Sequence, residues 1–339
     1  MTSKQDDLKA KSDPVLVTGA AGFIGHALSR KLIERGEHVI GIDNLNDYYD
    51  PGLKAARLDN LRGLRGFRFA EMDVSDNEGI LKLVQDEAVK RIVHLAAQAG
   101  VRYSIENPFA YQKSNLQGHL SLLEASRHAP GFQHLVYASS SSVYGDKPMG
   151  GKGFTEEEPA MDPVSLYAAT KRSCELMSAS YARLYGFPQT GLRFFTVYGP
   201  WGRPDMAYFS FTRKILAGEA IEVYGEGKMA RDFTYIDDIV DGIIGALDNP
   251  PQPGDHRVLN IGDSRPVGLK EMIETLEQAL GMEARKIMRP MQPGDVTATY
   301  ADVSKLHALT GYEPKVMLED GLKRFVSWYR DFYGNLPPE

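Results

Sequence analysis

Cysteine is nearly absent from this chain, and Cys174 is its only one. A single cysteine excludes an internal disulfide, so we expect a reducing, cytoplasmic compartment and interpret Cys174 as a small buried residue. No uninterrupted apolar run approaches the ~18 residues of a membrane span, and residues 1–13 lack the apolar segment of a signal peptide. The net charge is -6, whereas nucleic-acid binding needs a basic patch or stripe. We therefore expect neither a membrane nor a nucleic acid among the partners.

What the chain does contain is a regular alternation of apolar strands and helices. Its 339 residues suffice for one large or two closely packed domains. The alternation predicts an α/β fold with a doubly wound parallel Rossmann sheet. After about residue 195 prolines interrupt the pattern, which indicates a smaller, mixed α/β domain. The predicted strands are 15–18, 38–42, 67–71, 91–95, 133–138 and 189–194, and the predicted helices lie near 22–34, 54–63, 77–87, 108–128 and 165–185.

A glycine pattern, Gly19-x-x-Gly22-x-x-Gly25, lies between the first strand and the first helix. In this context glycines allow a tight turn and a close approach of the backbone to a pyrophosphate at the helix N-terminus. Asp43 ends the second strand, where its carboxylate can accept hydrogen bonds from both ribose hydroxyls and would repel a 2′-phosphate. It is followed by Asn44 rather than an arginine. The pattern therefore predicts NAD, rather than NADP, as the cofactor.

The stretch 167–171 reads YAATK and places Tyr167 and Lys171 four residues apart. On a helix, two such residues share a face, and the lysine charge stabilises the phenolate form of a tyrosine. The pair is then able to move a proton on and off an alcohol. Alone, this spacing is more often an exposed pair on a solvated helix, but the glycine turn upstream favours a catalytic pair.

Polar residues also end two other strands. Asp73 follows the third strand, where its carboxylate either meets an adenine amino group or is a plain surface acid. Four serines, 139–142, follow the fifth strand. Because α/β sheets place ligands at the carboxyl ends of strands, these hydroxyls are candidates for substrate contacts, although one or two of them could simply form the turn.

Five stretches together resemble the extended short-chain dehydrogenase/reductases, in the branch of nucleotide-sugar epimerases. They are GAAGFIG at 19–25, HLAAQAG at 94–100, the serine cluster before VYG, YAATK at 167–171 and RDFTYIDD at 231–238, and they extend over nearly the whole chain. Three more stretches, at 43–50, 97–104 and 197–207, are similar to UDP-glucuronate 4-epimerases. The resemblance implies tightly bound NAD, a UDP-sugar substrate, and a homodimer in which the helices near 108–128 and 165–185 of two subunits pair.

The resemblance also implies roles for parts of the chain and for individual residues. Residues 14–195, with 232–262 returning to them, are expected to bind NAD, and 196–231 with 263–332 to bind the UDP-sugar. Tyr167, Lys171 and Ser140 are implied to be catalytic. The implied cofactor contacts are Gly19, Gly22, Phe23, Ile24, Gly25, Asp43, Asn44, Asn46, Asp73, Val74, Leu95, Ala96, Ala97, Gln98, Asn115, Tyr167 and Lys171. The implied substrate contacts are Arg102, Ser140, Ser141, Thr196, Arg203 and Arg231, the last at the UDP diphosphate.

The implied reaction oxidises UDP-glucuronate at C4 to a 4-keto sugar and reduces it again on the opposite face, giving UDP-galacturonate. Tyr167 takes and returns the C4 hydroxyl proton, while Lys171 holds the nicotinamide ribose. A 4-keto uronate is a β-keto acid, which loses carbon dioxide when its C5–C6 bond aligns with the carbonyl π system. The enzyme must therefore hold the carboxylate out of that alignment, and the candidate groups are Ser140, Ser141, Thr196 and Arg203.

Several alternatives stay open at this stage. Thr196 stands where UDP-galactose 4-epimerases show an asparagine, and those enzymes carry an arginine near Gln292, so both departures argue against UDP-galactose as the main substrate. They also leave the second diphosphate contact unassigned, with Arg289 as a candidate. Arg203 is either a carboxylate contact, a UDP contact or a surface charge.

The rival functions differ at the serine cluster and at the catalytic pair. Related 4,6-dehydratases show an Asp-Glu pair where this chain has Ser141 and Ser142, and UDP-glucuronate decarboxylases show a glutamate at the second position. A UDP-glucose or UDP-N-acetylhexosamine 4-epimerase is the main alternative. A non-catalytic NAD-sensing protein is a further one, although such proteins usually lose the tyrosine or the lysine.

Overall fold

The computed structural model describes residues 13–146, 152–291 and 296–334. Residues 1–12, which carried most of the argument against a signal peptide, and Gln292 lie outside the described residues. Across the described ranges, every helix is too short or too polar to span a bilayer.

The first part of the chain alternates strands and helices as the sequence predicts. In chain order it forms β1 (Val15–Thr18), α1 (Phe23–Glu34), β2 (Val39–Asp43), α2 (Pro51–Arg62), β3 (Phe67–Glu71), α3 (Asn77–Asp86), β4 (Arg91–His94), α4 (Tyr103–Glu106), α5 (Pro108–Tyr111), a π-helical turn (Gln112–Gln117), α6 (Gly118–His128), β5 (His134–Ser140), a 3-10 turn (Ser141–Tyr144), α7 (Leu166–Tyr185) and β6 (Gln189–Phe194). The predicted single helix near 108–128 is therefore interrupted. The bounds of the strands and of the other helices in this part of the chain agree with the prediction to within a few residues.

The second part is less regular. It forms β7 (Thr196–Tyr198), α8 (Ala207–Leu216), β8 (Ala220–Tyr224), a 3-10 turn (Gly225–Gly227), β9 (Ala230–Tyr235), α9 (Ile236–Asp248), β10 (His256–Ile261), β11 (Pro266–Gly268), α10 (Leu269–Leu280), β12 (Arg285–Arg289), β13 (Ala298–Thr299), α11 (Ser304–Thr310) and α12 (Leu318–Tyr333). Strand β9 pairs with β7, β11 and β13, while β8 pairs with β12. The division into an NAD part and a UDP-sugar part stays a prediction, and its boundary at residue 232 falls inside β9.

Seven strands form one parallel sheet in the order β3-β2-β1-β4-β5-β6-β10. This is the doubly wound Rossmann arrangement with one added strand, so the predicted fold class is confirmed. The strand order reverses between β1 and β4, and ligands of such sheets bind beside this point, at the carboxyl ends of the strands.

Strand β1 shows why the sheet is covered on both faces. All four of its residues are buried. Val15 and Val17 belong to one hydrophobic cluster, which includes residues of α1 and α9, whereas Leu16 belongs to a second cluster with residues of α3 and α6. Successive strand residues point to opposite faces, so an uninterrupted apolar strand needs a helical layer on each side.

Two buried histidines lie in this core beside helix α7. The His94 and His119 rings stack with centroids 5.5 Å apart, and the His119 Nε2 atom is 2.8 Å from the Ser178 hydroxyl on α7. Burial, and secondarily the charge of Lys171, lowers the pKa of His119 to about 3. Burial also lowers the pKa of His94 well below its ordinary value. Both rings are therefore neutral in the folded protein at neutral pH.

We predict that acid destabilises the fold through these histidines. An unfolded histidine titrates near pH 6.5, so below this pH, down to about pH 3, the unfolded chain binds more protons than the folded one and stability falls as the pH falls. Each such ring steepens the dependence by about 1.4 kcal/mol per pH unit. His119→Phe, which keeps an aromatic ring against Tyr137, should reduce the slope of unfolding free energy by about that amount between pH 4.5 and 6, as measured by urea denaturation.

His128 provides the control, because it lies on the same helix α6 but is exposed. His128→Phe should leave the slope unchanged. An identical slope in His119→Phe and the unmodified protein would show that His119 is not the source of the acid sensitivity.

Candidate active site

The glycine turn between β1 and α1 is packed too tightly for side chains. Gly19 has a φ of +72°, and a Cβ added there would lie 2.9 Å from the backbone nitrogen of Ala96. A Cβ on Gly22 would lie 2.9 Å from the carbonyl oxygen of Gly19, and one on Gly25 would overlap the same oxygen. The glycines thus let the turn close on itself and on the end of β4, which leaves the N-terminus of α1 facing the switch point of the sheet.

Asp43 is held at the end of β2 beside this turn. Its Oδ2 atom accepts a hydrogen bond from the backbone N–H of Ala21 at 3.2 Å, and its Oδ1 atom accepts one from Leu45 at 2.9 Å. The carboxylate is therefore oriented by the backbone, and Asp43 lines the same cleft as the glycine turn. The contact of Asp43 with the ribose hydroxyls stays a prediction.

Asp73, which follows β3, makes polar contacts with Ser75, Asn44 and Lys113. Its Oδ1 atom accepts hydrogen bonds from the backbone and hydroxyl of Ser75 at 2.9 and 2.8 Å, and its Oδ2 atom lies near Asn44 and Lys113 at 3.2 and 3.1 Å. Burial raises the pKa of this carboxyl, but the hydrogen bonds from Ser75 and the Lys113 contact outweigh it and lower the pKa to about 2. Asp73 thus has a local structural role, and its contact with adenine stays a prediction.

Helix α7 brings the predicted catalytic pair to the carboxyl end of β5. The helix begins after Ser165, whose hydroxyl accepts a hydrogen bond from the backbone N–H of Ala168 at 3.1 Å. Lys171 is buried and its Nζ atom donates to the carbonyl oxygen of Ala138 at 2.8 Å. The Tyr167 ring lies edge-on to Tyr111, with centroids 6.1 Å apart. Tyr167 and Lys171 line the same cleft, as their spacing predicts.

The four serines after β5 have different surroundings. Ser139 is buried and its hydroxyl donates to Glu175 of α7 at 2.6 Å, so this serine is structural. The Ser140 hydroxyl accepts hydrogen bonds from the backbone and the hydroxyl of Ser142, at 3.2 and 2.9 Å. Ser141 is half-buried. Ser140 and Ser141 remain predicted substrate contacts.

Asn115 lies in the π-helical turn that interrupts the predicted helix. Its side chain is buried, accepts a hydrogen bond from the Gln98 backbone N–H at 2.8 Å, and donates to the Gln98 carbonyl and the Thr170 hydroxyl at 3.1 and 3.0 Å. The Cys174 thiol donates to the Asn115 carbonyl at 3.3 Å. The wider turn directs the Asn115 side chain toward Gln98, which follows β4, and toward Thr170 of α7. Gln98 is a predicted cofactor contact, so Asn115 orients such a residue through hydrogen bonds.

The predicted substrate residues are less closely grouped. Arg203 lines the cleft, and its Nε and Nη2 atoms donate to Asp205 at 3.0 and 2.5 Å. The exposed Arg102 has its guanidinium over the Tyr224 ring, 5.2 Å from the centroid. Arg231 donates to the carbonyls of residues 230 and 296, both at 2.8 Å. Thr196, at the start of β7, is half-buried.

Together these elements enclose one cleft over the carboxyl ends of β1, β2, β4 and β5. Most of the predicted cofactor residues line it, while Asp73 and Asn115 do not. Of the predicted substrate residues Arg203 lines it, whereas Arg102, Ser140, Ser141, Thr196 and Arg231 lie outside the lining. The lining residues are Gly19, Gly22, Phe23, Ile24, Gly25, Asp43, Asn44, Asn46, Tyr48, Tyr49, Lys54, Met72, Val74, Leu95, Ala96, Ala97, Gln98, Ala99, Ser114, Ala138, Ser139, Tyr167, Lys171, Phe194 and Arg203.

Residues 15–262 match the model of the NAD dependent epimerase/dehydratase family. The chain belongs to this family. UDP-glucuronate 4-epimerase 5 of Arabidopsis thaliana is 47% identical over 334 residues, which cover 94% of this chain and 76% of that protein. A solved structure of the UDP-glucuronic acid 4-epimerase of Bacillus cereus, in complex with UDP-glucuronic acid and NAD, is 35% identical with a TM-score of 0.88, covering 94% and 100% of the two chains. A UDP-glucose 4-epimerase of Thermotoga maritima, solved with UDP-glucose, is 33% identical with a TM-score of 0.84, covering 94% and 99%.

Membership of this family makes NAD the cofactor. The glycine turn fits it, because the closely packed turn lines the cleft and lets a pyrophosphate approach the backbone at the N-terminus of α1. Other members of the lining escaped sequence analysis, above all Lys54 of α2. Its Nζ atom donates to the carbonyl and side-chain oxygens of Asn46, at 2.6 and 2.7 Å. Arg57, one turn later, is completely buried. The helical periodicity of α2 could have identified both residues, because it places the two basic side chains on the same buried face as Leu53, Leu58 and Leu61.

We predict that Gly25→Ala impairs cofactor binding. The new Cβ would overlap the Gly19 carbonyl and displace the turn. Losing even one charge-assisted hydrogen bond of about 1.5 kcal/mol would weaken NAD binding about ten-fold or more. Calorimetric titration of cofactor-stripped protein with NAD measures this change.

Gly63→Ala is the matched control, because Gly63 has a φ of −77° and a Cβ there meets nothing within 4 Å. It should bind NAD like the unmodified protein. Undiminished NAD affinity in Gly25→Ala would contradict the steric account of the turn.

Proposed function

We propose that this protein is an NAD-dependent 4-epimerase that interconverts UDP-glucuronate and UDP-galacturonate. The observation that carries the proposal is that Tyr167 and Lys171 open onto the same cleft as the glycine turn, with Arg203 in its lining. The family membership supports an epimerase, and the relatives described above, which include a structure holding UDP-glucuronic acid and NAD, support the uronate. Serines at 141 and 142, where dehydratases have acids, favour epimerisation over elimination.

Tyr167 serves as the base for the C4 hydroxyl in this proposal. The Lys171 ammonium, fixed by its hydrogen bond to Ala138, favours the phenolate and so prepares Tyr167 to take the proton. Bound NAD supplies the hydride acceptor and, after the sugar has turned, the hydride donor. Tyr167 returns its proton to the new alcohol, so protein and cofactor end in their starting states. We assign the Ser140 hydroxyl, whose oxygen accepts a hydrogen bond from Ser142, as a second hydrogen-bonding group for the same sugar oxygen.

Arg203 is the group we assign to the substrate carboxylate. An arginine has five N–H donors in a planar fork, and Asp205 occupies only the Nε atom and one Nη2 hydrogen. The remaining edge can form a directional, charge-assisted pair with a carboxylate. Asp205 itself accepts a hydrogen bond at 3.3 Å from Tyr48, another lining residue, which helps to hold the fork in the cleft lining. Hydroxyls of Ser141 and Thr196 complete the proposed clamp, which keeps the 4-keto acid from losing carbon dioxide.

We also propose that the protein forms a homodimer through α5, α6 and α7. Large apolar side chains on these helices are exposed, among them Phe109 at 80%, Leu176 at 57% and Leu184 at 67%. Exposed apolar residues concentrated on neighbouring helices mark an association surface. The NAD part 14–195 with 232–262, and the UDP-sugar part 196–231 with 263–332, remain our proposed division of each subunit.

The decisive test is incubation of the purified protein with UDP-glucuronate, without added NAD, followed by chromatographic separation of the products. We expect UDP-galacturonate, because hydride and proton are both returned. Tyr167→Phe should lower kcat by roughly 10²- to 10⁴-fold, the usual contribution of a general base, while UDP-glucuronate binding measured by calorimetry survives.

Tyr185→Phe is the control on the same helix, since Tyr185 is 45% exposed at its far end. It should retain full activity. Absence of UDP-galacturonate from the unmodified enzyme would refute the function, and near-normal turnover of Tyr167→Phe would refute the base.

The clamp predicts a preference for the charged sugar. The unmodified enzyme should show a higher kcat/KM for UDP-glucuronate than for UDP-glucose, and Arg203→Ala should narrow this ratio by about ten- to a hundred-fold, the value of a charge-assisted hydrogen bond of 1.5–3 kcal/mol. Thr196→Ala should narrow it less. Both variants should release some UDP-pentose, because the loosened 4-keto acid can then lose carbon dioxide. Product ratios by chromatography measure both effects.

Arg30→Ala removes an exposed arginine on α1 and should change neither the ratio nor the products. Equal kcat/KM values for UDP-glucuronate and UDP-glucose in the unmodified enzyme would refute both the proposed carboxylate clamp and the proposed substrate.

A further inference from the structure

Arg57 of α2 is a buried arginine whose side chain connects two distant segments of the chain. Its side chain is completely buried. The Nη1 atom donates to the Ala21 carbonyl at 3.0 Å and to the Tyr49 hydroxyl at 2.6 Å. The Nε atom donates to the Trp201 carbonyl at 3.1 Å, and the Nη2 atom donates to the carbonyls of Trp201 and Gly202 at 2.6 and 3.0 Å. These five bonds match the five N–H donors of the guanidinium.

All of the acceptors of Arg57 are neutral oxygens. A guanidinium without a carboxylate partner is costly to bury, and apolar replacements of buried charged groups are often neutral or stabilising. Packing alone therefore gives no reason for an arginine at this place on α2. Its planar fork, which holds three carbonyls in one fixed arrangement, does give a reason.

One end of this arrangement is the cofactor turn. Ala21 lies between Gly19 and Gly22, which line the cleft, and its backbone N–H donates to Asp43 at 3.2 Å. The backbone of Ala21 is thus held on both sides of its Cα atom, by the Asp43 carboxylate at the nitrogen and by Arg57 at the carbonyl oxygen. A shift of either partner would move the backbone that faces the dinucleotide.

The other end is the loop that carries Arg203. Trp201 has a φ of +62°, a left-handed conformation that is costly for a residue other than glycine and persists only where the surroundings enforce it. Two donors of Arg57 hold the Trp201 carbonyl, and the Trp201 ring packs against Trp328 and Phe332 with centroids 5.2 and 5.1 Å away. The next residue but one, Arg203, enters the cleft from this strained loop.

We propose that Arg57 is a positioning residue that joins the cofactor turn to the Arg203 loop, so that the order of one depends on the other. It acts through the Ala21 carbonyl at one end and the carbonyls of Trp201 and Gly202 at the other. The part of the proposal that concerns substrate choice rests on the function proposed above, whereas the mechanical link between the two segments does not.

The test compares Arg57→Lys with the unmodified, NAD-loaded enzyme. Lysine keeps the charge but has a single compact ammonium, which cannot reach both ends of the arrangement. Hydrogen exchange of the backbone, followed by mass spectrometry, should show faster exchange by about ten-fold at both 19–22 and 201–206, because the holding bonds of about 1–1.5 kcal/mol are lost at each end. Arg62→Lys, an exposed arginine on the same helix, should leave both segments unchanged.

A double-mutant cycle with Arg203→Ala then separates positioning from general support. Arg57→Lys should narrow the kcat/KM preference for UDP-glucuronate over UDP-glucose by about ten-fold in the unmodified background, and by little or nothing once Arg203 is absent, because it acts through Arg203. Additive effects, or equal losses for both sugars, would overturn the role in substrate choice.

Exchange that rises along α2 but not at 201–206 would overturn the link itself. Arg57→Met serves as a harsher variant, and Arg57→Lys decides the matter if Arg57→Met does not fold. If the unmodified enzyme does not convert UDP-glucuronate, the proposed function fails, but the exchange measurement still decides whether Arg57 joins the two segments.

Discussion

The attachment of α7 to the neighbouring strands β5 and β6 is the interaction on which the geometry of the cleft depends. Glu175 of α7 and Arg193 of β6 form a buried bidentate ion pair, with Nε–Oε1 at 2.8 Å and Nη2–Oε2 at 2.9 Å, and Ser139 of β5 donates to the same carboxylate at 2.6 Å. A pair of this kind adds little net stability compared with apolar packing, but its directional bonds fix the orientation of the groups it joins. The rotation of α7, and with it the direction in which Tyr167 and Lys171 point, is set by these contacts.

Local patterns in the sequence were sufficient for six of the seven strands of the large sheet, all except β10, and for several residues that line the cleft. A buried parallel strand is an uninterrupted apolar run, and the glycine turn, Asp43 and the tyrosine-lysine pair each have a short-range signature. The interruption at Gln112–Gln117 could not be foreseen in this way, because the chain from 108 to 128 carries a continuous helical pattern. What widens the turn there is the set of bonds from Asn115 to Gln98 and Thr170, which are distant in sequence.

Other features were hidden because they depend on contacts between segments far apart in the chain. Arg57 donates hydrogen bonds to the carbonyls of residues 201 and 202, and the sequence of α2 does not indicate this partner segment. The pairing of Arg203 with Asp205 is different, because it is local, but no helix or strand periodicity predicts a pair two residues apart in a loop. Asp232 is similar to Arg57, because its buried carboxylate accepts backbone hydrogen bonds from Asp263, Ser264 and Ala301 and thereby joins three stretches whose short strands give weak patterns.

The shielded thiol of Cys174 has a practical consequence. Burial raises its pKa to about 11, and the Sγ atom faces the Asn115 carbonyl where α7 meets the π-helical turn. Thiolate is the reactive form of cysteine, so a thiol reagent reacts with this chain only when α7 and the turn separate. With a single cysteine, labelling kinetics would report how often the two helical segments beneath the cleft come apart, without any added probe, and a cysteine introduced on the surface could be labelled selectively in the folded protein.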